Sequence, residues 1–419
     1  MGGTWQRLRA VLAVAITVVG ALSVHAQDLR DRDRTLAASR RLSDDLRRAR
    51  VHYGPFYLLS SIQLADISYD QDFFVPVANN AGFRFGLSVP TRLYFTPNRK
   101  TFFSVETTPQ WSRFGGRNGR DQFGYHSRAD AQFLLNHLYA DVYVLGEDAL
   151  RADIGEFSSL LTRKLKEVGA NGELKYSSRT SMTYSAVTRS QTFPLSKFQP
   201  EATVNLLDRS EHAYRLALVH KTFPLTSLLL ASEYAGYSFP NAVFKNSHRR
   251  YAGAGLIYES GRTASRLEAG YARLDFIRAN QKDFTGLVGS FNISRRASER
   301  WTVNAGAARD LTFSVFLNNN YYVANRANLG TQYSLTRRLA LTSGWNVGED
   351  IYDVPTAGSK LGTIARRRDR FSYPYIGWNY SSPFHFGGGF DVGYLERTSN
   401  FPIGETDGIR VVLHLSLNL

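Results

Sequence analysis

The chain has no cysteine, two methionines, and no apolar run long enough to cross a bilayer as a helix. Without cysteine there is no lipidated N-terminus, no disulfide framework and no thiolate metal site. The longest apolar stretch, Ala10 to Leu22, is about 13 residues, short of the roughly 20 that a spanning helix needs. If these 419 residues cross a membrane, they cross as strands, and strands cross lipid only when they close into a barrel. A local catalytic signature is missing too. The nine histidines (His25, His52, His126, His137, His212, His220, His248, His385, His414) stand in neither an H-E-x-x-H nor a G-x-S-x-G setting. An enzyme is not expected. Asp66, Asp70 and Asp72 are read as a solvated loop, with a Ca²⁺ site as the alternative; no metal site and no cofactor are assigned.

What the chain has in quantity is aromatic residues (13%, with 23 Tyr and 27 Phe), 34 glycines and positive charge, +15 in all. Met1 to Ala26 reads as a secretory signal. Arg7 and Arg9 form its basic start, Ala10 to Leu22 its apolar centre, and Val24-His25-Ala26 its cleavage site before Gln27. Removing it leaves +13 on the mature chain. The charge is spread along the sequence without a binding motif, and export argues against nucleic acid as a partner. An anionic glycan, or the phosphates of lipopolysaccharide, is the expected counterpart, and an open basic lumen would prefer anions.

Residues 27–50 are a charged leader on the periplasmic side, with eight arginines against five aspartates. They are read as solvated, disordered or briefly helical from Ser43. A plug-like role is the alternative.

From 51 to 419 the sequence becomes a series of amphipathic strands. Ile409, Val411, Leu413, Leu415, Leu417 and Leu419 alternate with Arg410, His414, Ser416 and Asn418, which is period-2 patterning. This segment, 409–419, resembles the C-terminal signal that the barrel-assembly machinery reads on Gram-negative outer-membrane barrels, ending in Leu where Phe is usual. Short Ser/Thr/Asn/Gly/Pro turns such as 96–99, 177–180, 260–263 and 336–338 alternate with long polar connections such as 71–80, 147–162, 191–207 and 353–365. Short turns at one end and long loops at the other mark a transmembrane antiparallel up-and-down β-barrel, all-β, of about 16–18 strands in the outer membrane. The segments 138–146 and 180–190 are the weakest of the eighteen strands. Aromatic residues near strand ends (Tyr69, Phe95, Phe114, Tyr176, Tyr237, Trp301, Tyr321, Tyr373, Tyr380) are assigned to interfacial girdles.

That size of barrel encloses a water-filled lumen unless something plugs it. The polar positions of the alternation place Arg84, Arg92, Glu106, Arg128, Asp130, Arg266, Glu268, Arg326, Asp391, Arg410 and His414 in it. Rings of mixed charge there would set selectivity. Cross-strand pairing that only stabilises a polar interior explains the same residues.

Val51 to Phe74, VHYGPFYLLSSIQLADISYDQDFF, resembles the first strand of the type 2 β-barrel porin family. A Gly-Pro-Phe-hydrophobic start there leads to a strand ending in Tyr-Asp, and the rhythm continues through Tyr94-Phe95-Thr96-Pro97. The resemblance implies an outer-membrane barrel, in some relatives associated with exopolysaccharide. Passage of solute or polysaccharide is therefore expected. A non-conducting structural or surface-binding barrel is the alternative, and a lipid-modifying barrel enzyme a more distant one.

Overall fold

The computed structural model describes residues 42–49, 51–70, 82–98, 100–115, 120–153, 159–194, 204–278, 281–355, 364–382, 386–401 and 405–418. A helical turn at 42–48 precedes β1 (Val51–Tyr53), β2 (Phe56–Asp70), β3 (Gly82–Ser88), β4 (Thr91–Phe95), β5 (Thr101–Phe114) and β6 (Arg120–Leu134). Then come β7 (Leu138–Asp153), β8 (Ser159–Lys175), β9 (Thr180–Thr192), β10 (Arg209–Phe223), β11 (Thr226–Ser238), β12 (Ser247–Glu259) and β13 (Thr263–Phe276). The wall is completed by β14 (Phe284–Arg296), β15 (Trp301–Phe313), β16 (Tyr321–Ser334), β17 (Leu339–Tyr352), β18 (Arg368–Ser381), β19 (Phe386–Ser399) and β20 (Thr406–Asn418).

Each strand pairs antiparallel with its neighbours, and β20 returns to β2 from Ser61↔Asn418 to Asp70↔Arg410, closing the barrel. Closure joins the first wall strand to the last, so neither presents a free sheet edge to lipid along that seam. β3 and β4 are one wall position interrupted at Val89-Pro90, and both pair with β2 and β5. Proline has no ladder donor, so it breaks the strand there. β1 pairs with β2 at Val51↔Leu58, on the edge that β20 leaves uncovered. Gly54 holds φ = +56° in this tight return, a backbone state in which other residues are strained. The wall therefore has eighteen positions.

Turn chemistry explains the short connections. Asn98 Oδ1 accepts from the amides of Lys100 and Thr101, both at 2.8 Å. Ser177 Oγ accepts from Arg179 and Thr180, Ser298 from Arg300 and Trp301, and Thr336 from Arg338 and Leu339, all between 3.0 and 3.3 Å. Each side chain satisfies two amides that the hairpin leaves free.

Alternation then sorts the side chains. Leu216, Leu218, Leu228, Leu230, Val142, Val144 and Leu267 face out and stay exposed, as a lipid-facing wall requires. Tyr176, Phe223, Trp301 and Tyr333 stand exposed at the short-turn end. Tyr237 and Tyr373, expected in the girdles, instead face inward by the parity of their strands: Tyr237 packs edge-on against Phe313, and Tyr373 stacks beside Tyr375. Tyr321 is on the outward parity of β16, opposite Phe313, yet it too leaves the girdle and packs on Phe276 and Phe284. The side chains of Tyr69 and Phe114 lie outside the described residues.

Two expectations change. The predicted 147–162 loop is largely strand, because β7 and β8 stay in register up to Asp153↔Ser159. The leader differs as well. Residues 42–48 are helical and docked inside the short-turn mouth, with Leu42 and Leu46 against the cluster of Tyr94, Phe102 and Leu134 that Tyr57 and Leu59 also join. Met1 to Ala26, the rest of the leader and Asp72 fall outside the described residues.

Candidate functional site

Inside the wall lies a cavity of about 1290 Å³. All eleven predicted lumen residues fall on the inward parity of their strands, as the registers fix. The structure gathers six of them at the cavity: Arg92, Glu106, Arg128, Asp130, Arg266 and Glu268. Arg84, Arg326, Asp391, Arg410 and His414 point inward elsewhere.

The cavity residues are paired. Arg92 Nε donates to Glu106 at 2.9 Å, and Arg92 Nη1 to Asp45 of the helical turn at 3.0 Å. Arg128 donates to Asp141 at 2.9 Å and to Asp130 at 3.3 Å. Asp130 also accepts from Ser104 at 2.9 Å and Gln132 at 3.1 Å. Glu268 takes Arg266 at 2.8 Å, the Tyr251 hydroxyl at 3.0 Å, and Arg215 from three strands away. Arg326 pairs with Asp350 and lies 4.9 Å from the Phe371 ring. Away from bulk water such charges are stable only when partnered. The pairing therefore fixes the lumen surface while leaving its charge exposed to what passes.

Several site residues were not read from the sequence. Arg215, Glu233, Arg249 and Asp310 line the cavity, and Arg249 joins Asp310 at 2.7 Å. Their strands also carry apolar side chains inward, such as Ala217, Leu229 and Ala231, which blurred the polar face. The outward run Tyr214-Leu216-Leu218 was the signal that assigns Arg215 to the lumen.

Among the described residues, the cavity lining holds ten carboxylates and seven guanidinium groups. A chain of net charge +15 thus surrounds a cavity that, among the described residues, has more carboxylates than cations.

Both mouths are narrowed. At the short-turn end stands the 42–48 turn, its Asp45 also bonded by the Tyr94 hydroxyl. At the long-loop end, residues 314–320 fold inward. Val315 packs with Phe193 and Leu207, and Phe316 packs edge-on against Tyr352. The buried Lys245 donates to the Ser314 carbonyl, and Asn319 accepts from the Val354 amide at 3.0 Å. Asp208 accepts from the Phe193 amide at 2.6 Å and from Asn241 at 3.1 Å. Burial raises its carboxyl above the usual carboxylate range, those two hydrogen bonds opposing.

The wall, closed and apolar outside, is that of an outer-membrane barrel. No protein-family model matches the chain, and no curated protein matches it. Among similar solved structures is the FrpB iron transporter of Neisseria meningitidis (F3-3 variant): 12% identity, TM-score 0.50, covering 88% of this chain and 78% of that one. This likeness supports the barrel fold. OccK3 (OpdO) of Pseudomonas aeruginosa is similar at 15% identity and TM-score 0.48, covering 86% of this chain and 96% of that one. OccK5 (OpdH) of the same organism is similar at 12% identity and TM-score 0.49, with 86% and 98% covered. None of these matches bears on the type 2 subfamily or its exopolysaccharide association.

Among the described histidines, His220 meets the Thr180 hydroxyl at 2.9 Å and His212 that of Thr188 at 3.0 Å. These four positions are on the outward parity, facing away from the lumen.

Proposed function

We propose that this chain is an outer-membrane channel for small hydrophilic solutes, whose lumen favours cationic and neutral solutes over anions. The observation that carries the reading is the polar cavity within the closed wall, lined among the described residues by ten carboxylates and seven guanidinium groups. Fixed charge beside a narrow aqueous path concentrates the opposite sign. Narrowing at both mouths supports small solutes rather than a polysaccharide chain.

The test is single-channel conductance of the refolded mature protein in a planar bilayer under a salt gradient. Steady openings with a reversal potential on the cation side are expected. An anion-side reversal potential overturns the selectivity, and silence from a barrel with heat-modifiable mobility overturns the channel. In the latter case the second reading holds, a barrel closed by its own segments. It has an observation of its own, the docking of 42–48 and 314–320 in the two mouths.

A further inference from the structure

The outer wall carries charges that the lumen reading does not use. On β12 the outward side chains from the short-turn end are Tyr258, Leu256, Ala254 and Ala252, all apolar, and then Arg250. A strand tilted about 40° climbs about 2.6 Å per residue, so Arg250 stands about 21 Å above Tyr258. That is near the top of an apolar band about 25 Å tall, on the long-loop side, where the outer-leaflet headgroups lie. Arg250 faces Arg273 of β13 directly in the register. Two guanidinium groups opposed in this way repel. Arg273 has Asp275 beside it, but among the described residues no hydrogen bond or ion pair reaches the exposed Arg250.

Below and beside this pair the wall is hollow. A groove of about 870 Å³ crosses the outside from β13 toward β19. Its floor is made of small residues, Ala269, Gly289 and Ala307, and its flanks of Leu287, Phe291 and Trp345. The hollow coincides with a parting of strands. β14 and β15 pair only from Gly289↔Arg309 to Arg296↔Thr302, and above that the ladder stops. Arg309 Nε donates to the Leu287 carbonyl there at 3.1 Å; this third guanidinium, which also borders the lumen cavity through the parted strands, stands at the groove's upper edge. Ala269 is four residues below Arg273 on β13, about 14 Å along the strand.

We propose that this face binds a phosphorylated glycolipid of the outer leaflet, its phosphate held between Arg250 and Arg273 and an acyl chain lying in the groove beneath Arg309. Arginine presents paired N–H donors to phosphate oxygens, and an anion between the two groups turns their repulsion into attraction. The apolar floor admits a chain where side chains elsewhere on the wall would fill the space.

The experiment uses the folded full-length mature barrel in detergent. It measures binding of lipopolysaccharide, of dephosphorylated lipopolysaccharide and of inorganic phosphate, together with the temperature of the heat-modifiable transition. Wild type should retain lipopolysaccharide and gain thermal stability from it. Arg250→Ser/Arg273→Ser should bind roughly tenfold or more weakly, dephosphorylated lipopolysaccharide should lose affinity similarly on wild type, and inorganic phosphate should give no shift. Ala307→Trp, which fills the groove and leaves the arginines in place, should weaken retention independently. Equal binding of the dephosphorylated lipid, or an unchanged double-arginine variant with intact barrel mobility, overturns the proposal. A full stabilising shift from inorganic phosphate alone overturns the lipid in favour of a free-anion site.

Discussion

Replacing Leu42 and Leu46 with serine should release the helical turn from the short-turn mouth. Both leucines are half-buried against the cluster of Tyr94, Phe102 and Leu134. A fully buried leucine contributes about 1.5–3 kcal/mol, so half burial of two is worth about 1.5–3 kcal/mol. At about 1.4 kcal/mol per tenfold, that moves the docked-to-undocked ratio roughly 10- to 150-fold. The ion pair beside them is weaker. Arg92 and Asp45 keep 37% and 21% of their side chains exposed, and such a pair contributes about 1 kcal/mol at most. Apolar contact therefore dominates the docking. Trypsin cleavage after Arg47 or Arg48 reads the undocked population when opening is fast relative to cleavage. The double-leucine variant should be cut about 10- to 150-fold faster and should spend more time in its largest conductance state, while Asp45→Asn changes both little. An unchanged cleavage rate in the leucine variant, or a larger effect from Asp45→Asn, would refute the reasoning.

Four further outcomes follow from the same geometry. Asp130→Asn with Glu173→Gln removes two lining carboxylates from the cavity, so the reversal potential should move toward anions without loss of the fold. Asp369 is buried and bonded by Arg367 and Arg397, each at 2.7 Å, and by Ser399; Asp369→Ala strands two buried guanidinium groups and should cost about 3–5 kcal/mol in urea unfolding. Gly54→Ala meets no neighbouring atom, so its loss of about 1–2 kcal/mol should come from the positive φ alone. Asp208 has a raised carboxyl. The folded state therefore takes up its proton before the unfolded one, loop docking should strengthen as pH falls toward the carboxylate range, and Asp208→Asn should protect the loops from proteolysis at neutral pH at least as well as wild type does.

The wall was legible because its rule is local. Period-2 alternation and turn residues such as Asn98, Ser177, Ser298 and Thr336 act within a hairpin, and the registers follow them. Lumen residues were legible for the same reason, one strand at a time, down to Asp391 and His414 at the closing seam. Their partners were not, since Arg215 reaches Glu268 across 53 residues of chain, and no local pattern specifies which strands a closed barrel brings together. The docked turn was misjudged by composition. Its arginines and aspartates suggest solvation, but two leucines one helical turn apart and one aspartate suffice to seat it against aromatic side chains that only the closed wall assembles. The inward loop 314–320 was hidden likewise, because Val315 and Phe316 find their contacts on distant connections.

Net charge and cavity charge differ in sign among the described residues because a barrel sorts charges by parity and height, and a sum over the chain discards both. Inward arginines at the cavity sit in a restricted volume and are matched by carboxylates: Arg92 by Asp45 and Glu106, Arg128 by Asp130 and Asp141, Arg266 and Arg215 by Glu268. Such positions tolerate positive charge only with a partner near, so a surplus cannot accumulate there. Exposed turns impose no such condition. Arg179, Arg262, Arg296, Arg300, Arg337 and Arg338 cluster on four connections at the short-turn end, with Glu299 the acid among them. Part of the excess of the whole chain thus lies on the rims, which meet headgroups and solvent, and the strand-by-strand pattern describes the path. Selectivity in a barrel of this kind should follow the second quantity even where the first has the opposite sign.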